Sequence, residues 1–470
     1  MSKLIRVTFF LILASSIISA QEIRTVAENY WIQTTTWDTS FTSSQLIESS
    51  LMASGLVEES INLFLNKYKQ LLGKFENDRK ASFSTLSEYE QGEYILNWAH
   101  NNILKNYIEN QTLMDVLIDS GNYNCVSSAI FYLILAKEAG LNADIIETSD
   151  HAFCSVYTKE GIIDVETTTP YGFNPGLKKE FQQSFNQTGY TYVPPGNYRS
   201  RDQIKDREAV ALILQNRMSS LQKDNKHKKV IGIAIDRWVL AENNKSHVDM
   251  NDAFRNWAAV LNNKGTYTEA YYFLSDVSLK YNLVSENSDL LFDLAYNQII
   301  TLTNNDNYNL ANTFLEEIKL TLNSTDQTKL EKIVAKDYLS DIVRNESYEI
   351  SLPLVREAQE SGSISKSDWQ NWITVLHQNE ALKISNNAGW WDAWEFLKTL
   401  PLEEKNLNSI KTSIIRAHDN WSFGIHNQFA DLFNSQEFKT AEKLLLEALS
   451  KDPGNRYLTK DLNDIKKVSP

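Results

Sequence analysis

The chain has 470 residues and a mass of 53.9 kDa, more than one ordinary domain, so two or three are expected. Hydrophobic residues at 42% and charged residues at 23% exclude a disordered chain, and 16 glycines with 8 prolines disfavour a turn-rich all-β protein. A formal charge of −14 speaks against nucleic acid or an anionic membrane surface as partner, and two cysteines exclude a disulfide framework or a four-cysteine zinc site.

In chain order, Lys3 and Arg6 precede an apolar run over 7–14 and a small-residue exit ending Ser19-Ala20. That layout predicts a secretory signal peptide over 1–20, and hence an exported protein of the periplasm or the extracellular space. No later stretch approaches the length of a membrane span, so no integral membrane segment is expected. Residues 21–55 are polar and lack a clear period, although Trp31 and Trp37 point to some packed structure. Residues 56–75 place Ile61, Phe64, Leu65 and Tyr68 on one helical face. Residues 89–107 do the same with Ile95, Leu96, Trp98, Ile103 and Leu104.

The character changes over 112–170. A helix carrying Leu113, Val116 and Leu117 stops at Ser120-Gly121-Asn122, and Asn124-Cys125 then opens a strongly apolar helix over 126–139, closed by Gly140. Strands are expected at 143–147, 152–157 and 162–166, the last two joined by the turn Thr158-Lys159-Glu160-Gly161. Residues 170–200, with Pro170, Pro175, Pro194 and Pro195, read as a loop or linker.

From about 203 the pattern is helical to the end and repetitive. An aromatic residue followed three positions later by a small one recurs at Tyr267/Ala270, Tyr308/Ala311, Tyr348/Ser351, Trp390/Ala393 and Phe438/Ala441, with His227/Val230 as a weaker first member. The spacings of 40, 41, 40, 42 and 48 residues predict a divergent αα-hairpin solenoid, the small residues letting neighbouring helices approach.

Three residues in 112–170 carry the candidate chemistry. Cys125 falls at the first turn of its helix, where unpaired N–H groups and the positive dipole end favour a thiolate. His151 begins one strand and Asp164 lies in the next, so a hairpin would set the carboxylate beside the ring. Nucleophile, base and orienter in the order Cys125, His151, Asp164 is the logic of covalent acyl transfer. The Cys125 backbone N–H, with Asn122 or Asn124, is the candidate oxyanion donor set. Cys154, three residues after His151, is expected to face away from the ring and not to pair with Cys125. No metal site and no cofactor are expected.

The stretch Gly121-Asn-Tyr-Asn-Cys125-Val-Ser-Ser-Ala129, the helix exit Gly140-Leu141, His151-Ala152-Phe153 and Asp164-Val-Glu-Thr167 resemble the transglutaminase-like superfamily. The resemblance covers about 55 residues closely and about 110 loosely, and the hairpins that follow resemble bacterial branches with tetratricopeptide-like repeats. It implies an α+β fold, with a papain-like or transglutaminase-like core of a helix plus a small antiparallel sheet, followed by the all-α solenoid. It also implies Cys125 as nucleophile, His151 as base and Asp164 as orienter. The expected organisation is a signal peptide (1–20), a mostly helical segment (21–85), a transglutaminase-like domain (86–200) and a repeat domain (203–470). The expected activity is hydrolysis of a peptide or isopeptide amide in a protein or peptide substrate, with a protein partner on the repeats. The alternative is a catalytically inactive scaffold acting through those repeats.

Overall fold

The computed structural model describes residues 40–79, 83–176, 178–185 and 201–468; the leader, Trp31 and Trp37 lie outside them. The fold is mostly helical with small sheets, an α+β arrangement with helical repeats. By contact it divides into two compact units, residues 1–294 and 295–470.

The first unit opens with α1 (Ser43–Ala53), α2 (Glu58–Arg79) and α3 (Glu88–Asn102). The polar stretch before residue 55 thus holds a helix that its period did not announce. Thr42 and Gln45 form a reciprocal capping box, and Leu46, Ile47 and Leu51 are fully buried. Next come β1 (Asn106–Tyr107), α4 (Met114–Ser120), β2 (Asn122–Tyr123) and α5 (Cys125–Ala139). A helix apolar on every side has to be surrounded. Accordingly, every residue from Cys125 to Ala136 is buried, against α1, α3 and the strands that follow. Gly140 ends α5 with φ +76, a left-handed turn that glycine adopts without strain.

Strands β3 (Ala143–Glu147), β4 (Ala152–Thr158) and β5 (Gly161–Val165) follow, then α6 (Lys179–Phe185), β6 (Asp202–Ile204) and α7 (Asp206–Lys223). The four-stranded sheet has the order β5-β4-β3-β6 and is antiparallel throughout, while β1 and β2 form a small parallel pair. Helix α5 packs on β3 and β4. The Cys154 Sγ donates to the Ala129 carbonyl at 3.3 Å, pinning strand to helix. Helix α7 packs on α1 and α5 and is tied at both ends. Near its start Asp206 accepts from Lys137 at 2.9 Å, and towards its end Arg217 donates to the Ala53 carbonyl at 2.6 Å.

Helices α8 (His227–Ala241), α9 (Asn244–Asn263) and α10 (Tyr267–Lys280) continue the first unit, and α11 (Ser288–Thr303) spans the division at Leu294. The units therefore separate inside a helix and not near residue 200, because α7 to α10 pack one upon the next from the α5 core outward.

The second unit holds α12 (Tyr308–Ile318), α13 (Ser324–Asn345), α14 (Tyr348–Glu360), α15 (Lys366–Ala388), α16 (Trp390–Thr399), α17 (Leu402–Lys405), α18 (Asn408–Asn434), α19 (Phe438–Lys451) and α20 (Arg456–Val468). His227, Tyr267, Tyr308, Tyr348, Trp390 and Phe438 are each the first residue of a helix. Their small partners Ala270, Ala311, Ser351, Ala393 and Ala441 are all fully buried. The 48-residue interval has a plain cause: the short α17 is added between Trp390 and Phe438, and α18 at 27 residues is longer than the 20, 22 and 23 residues of α9, α13 and α15.

Candidate active site

The position of Cys125 is set by the cap in front of it. Asn124 is the N-cap of α5, its Oδ1 accepting from the Ser127 N–H at 3.0 Å while its own N–H donates to Ser127 Oγ at 3.0 Å. Asn124 Nδ2 donates to the Glu109 carbonyl at 3.1 Å, which fastens the cap to the neighbouring loop. Cys125 is therefore the first residue of the helix, 7% exposed, its thiol close enough to the His151 ring to favour that ring's charged form.

His151 sits just before β4, in the turn where Thr148 N–H donates to the His151 carbonyl at 2.9 Å. Its Nε2 meets Glu166 Oε2 at 2.6 Å. With Nε2 engaged there, Nδ1 is the nitrogen left for the thiol. Glu166 is 2% exposed, and its other oxygen accepts twice from Thr168, from the N–H at 3.2 Å and from Oγ1 at 2.8 Å. Ser128 Oγ in the first turn of α5 meets Thr167 Oγ1 at 2.8 Å, so helix start and carboxylate segment are joined directly. Gly172 is required on the far side: a Cβ there would lie 1.8 Å from the Glu166 carbonyl oxygen.

Asp164, the expected orienter, is elsewhere. It accepts from Ser155 Oγ at 2.8 Å and from Arg201 Nη1 at 2.9 Å, and Arg201 Nη2 also bonds it. The reason is register. Cys154 pairs with Val165 and Ser155 with Asp164, so Asp164 is level with a residue four positions beyond His151, about 14 Å along the strand. Glu166 lies on the same face one alternation nearer, within diagonal reach of the ring. The signal was present in the sequence. A turn at 158–161 fixes every cross-strand partner, and reading it through leads to Glu166.

The oxyanion candidates also move. Asn122 lies on β2, its Oδ1 accepting from Asn106 Nδ2 at 3.1 Å, and it does not line the cavity described below. Asn124 lines it, but its carboxamide is engaged at both ends by the cap. A cavity of about 460 Å³ opens on Cys125 and His151. One wall is the start of α5, another the turn 147–152, and a third one face of α7, with Leu212, Gln215, Asn216, Ser219 and Ser220. That wall comes from the first helix after the proline-rich stretch, a contribution that spacing around Cys125 did not reveal.

The electrostatics follow from burial and neighbours. Burial alone would push the His151 imidazolium down, but the Glu166 carboxylate and the Cys125 thiol outweigh it and hold its pKa well above the usual histidine value. His100 behaves oppositely: its Nε2 donates to the Thr167 carbonyl at 3.1 Å, and burial pushes it down to about 4. Burial also pushes the Cys154 thiol up, and both cysteines are free. The arrangement can hold an imidazolium beside a thiol at a helix start, the chemistry of nucleophilic acyl transfer. Among the described residues no cluster of three or more His, Cys, Asp or Glu is arranged to hold a metal ion, and no helix is long and apolar enough to cross a membrane. Comparison of the chain with protein-family models, with curated proteins and with solved structures finds no match.

Proposed function

We propose that this chain is an exported, transglutaminase-like thiol acyl-transfer enzyme that hydrolyses a peptide or isopeptide amide. One observation carries the reading: a single cavity is lined by a thiol at a helix start and by an imidazole whose Nε2 holds a buried carboxylate. Cys125 attacks as thiolate, forming the C–S bond while the carbonyl electron pair moves to oxygen. Collapse breaks the C–N bond, and the leaving amine takes its proton from the His151 imidazolium, leaving a thioester and a neutral ring. Water then gives a proton to His151 and attacks the thioester carbon. Expulsion of the thiolate releases the acid and restores the ion pair. Glu166 orients the ring and stabilises its charge throughout. The helical hairpins of 295–470 hold a protein or peptide partner, and the leader over 1–20 directs export.

The test uses the whole chain and p-nitrophenyl acetate, with intact-mass readout. The wild type gains one acetyl group on Cys125 with a burst of nitrophenolate. Cys125→Ala gains none, and His151→Ala gains it far more slowly. In parallel, alkylation of Cys125 by iodoacetamide is followed from about pH 4 to about pH 9, and His151→Ala slows it at the acid end. Absence of the acetyl adduct, together with alkylation no faster than a free thiol, refutes the proposal and leaves the scaffold reading.

A further inference from the structure

Gln215 lies in the middle of the α7 face that walls the cavity. Its carboxamide orientation is fixed by chemistry. Oε1 accepts from Arg237 Nη2 at 3.0 Å, and a guanidinium only donates, so the oxygen end has to face it. Arg237, on α8, is 3% exposed and is itself held by Asp249. The two N–H groups of Gln215 Nε2 have no partner among the described residues, and the side chain lines the cavity. Of the other carboxamides on these walls, Asn124 is engaged in its cap, Asn216 donates to Thr112 Oγ1 at 3.3 Å, and Asn110 stands in the turn before α4, off the α7 face. On either side along the α7 face stand Leu212 and the hydroxyls of Ser219 and Ser220, with the charged Lys223 and Asp224 at the helix end.

From this we infer, on the basis of the acyl-transfer reading above, that Gln215 Nε2 donates to the carbonyl oxygen of the bound amide. The substrate class is then a neutral carboxamide, a peptide bond or a glutamine-type side chain, laid along α7. A polar wall with a fixed donor recognises a carbonyl acceptor, and the buried Arg237 makes the orientation permanent before substrate arrives.

Gln215→Glu is the informative substitution, because it keeps an oxygen for Arg237 while removing both donors. The probes are iodoacetamide, which carries a carboxamide, and iodomethane, which has the same leaving group and no acceptor. Gln215→Glu is expected to lower the ratio of the iodoacetamide to the iodomethane rate at Cys125 about fivefold, what one neutral hydrogen bond supplies, whatever the added charge does to both rates together. A second measurement needs no variant. In the wild type, the ratio of iodoacetamide to iodomethane rates at Cys125 should exceed that of free cysteine by a similar factor. Equal slowing with both reagents, no slowing with either, or a wild-type ratio equal to that of free cysteine overturns the inference. A wild-type Cys125 that iodomethane alkylates no faster than a free thiol, and no differently in His151→Ala, overturns the acyl-transfer reading as well. An iodomethane rate that depends on His151 together with an ordinary reagent ratio overturns this inference alone.

Discussion

Replacing Glu166 with glutamine separates the two carboxylates that compete for the role of orienter. Thr168 N–H donates to one Glu166 oxygen at 3.2 Å and Thr168 Oγ1 to the same oxygen at 2.8 Å. An N–H can only donate, so the oxygen of a glutamine at 166 has to stay at that position, and its NH₂ then faces His151 Nε2. The ring would be forced to accept at Nε2 and to carry its proton on Nδ1, towards the thiol it should deprotonate. The substitution also removes the charge that holds the imidazolium against burial. A hydrogen bond to a charged group contributes about 1.5–3 kcal/mol, so Cys125 alkylation near pH 6 should fall roughly 10- to 150-fold. Asp164→Asn is the matched control: it weakens the Arg201 pair and should leave the labelling rate within about twofold. The assay is iodoacetamide labelling resolved by peptide mass, with the His151 ring shifts followed by NMR across pH. If Asp164→Asn abolishes labelling and Glu166→Gln does not, the register argument is wrong.

Other outcomes follow from single contacts. Gly172→Ala would drive a methyl group to 1.8 Å from the Glu166 carbonyl, so thermal unfolding should show a loss of at least about 1–3 kcal/mol with reduced Cys125 labelling. In the second unit, Glu404 accepts from Arg356 Nε at 2.7 Å and meets His377 Nε2 at 2.7 Å. Burial raises its pKa, but those two partners outweigh it and bring it down to about 2 from an ordinary 4.5. A depressed carboxylate stabilises the fold above its unfolded pKa, and that contribution, about 3 kcal/mol, is lost as pH falls from about 4.5 through 2. Urea unfolding followed by tryptophan fluorescence should therefore weaken over that range in the wild type and less in Glu404→Gln. Ala311 is fully buried, so Ala311→Leu should lower stability by about 1–3 kcal/mol in the same assay; an unchanged midpoint would remove the packing role given to these small residues.

Local chemistry in the sequence determined much of this protein. The apolar run from Val126, the Asn124 cap and Gly140 define α5, because helix ends and burial are read from neighbours within a few residues. Strand β3 falls on the short run expected at 143–147, and the aromatic-and-small pairs mark the first turns of the repeat helices, since each hairpin solves the same packing problem. Cys125 and His151 were legible for the same reason: a helix start and a strand start fix where they sit. The carboxylate was a question of register. Two acids on one face of β5, Asp164 and the Glu166 just beyond it, differ by one alternation, and pairing with β4 decides which meets the ring. Gln215 and the α7 wall lie about 90 residues from Cys125 in sequence, beyond any local pattern. Only the packing of α7 on α5, with Arg237 behind it, brings that donor to the cavity, because tertiary contacts join residues whose spacing in the chain carries no information about their distance.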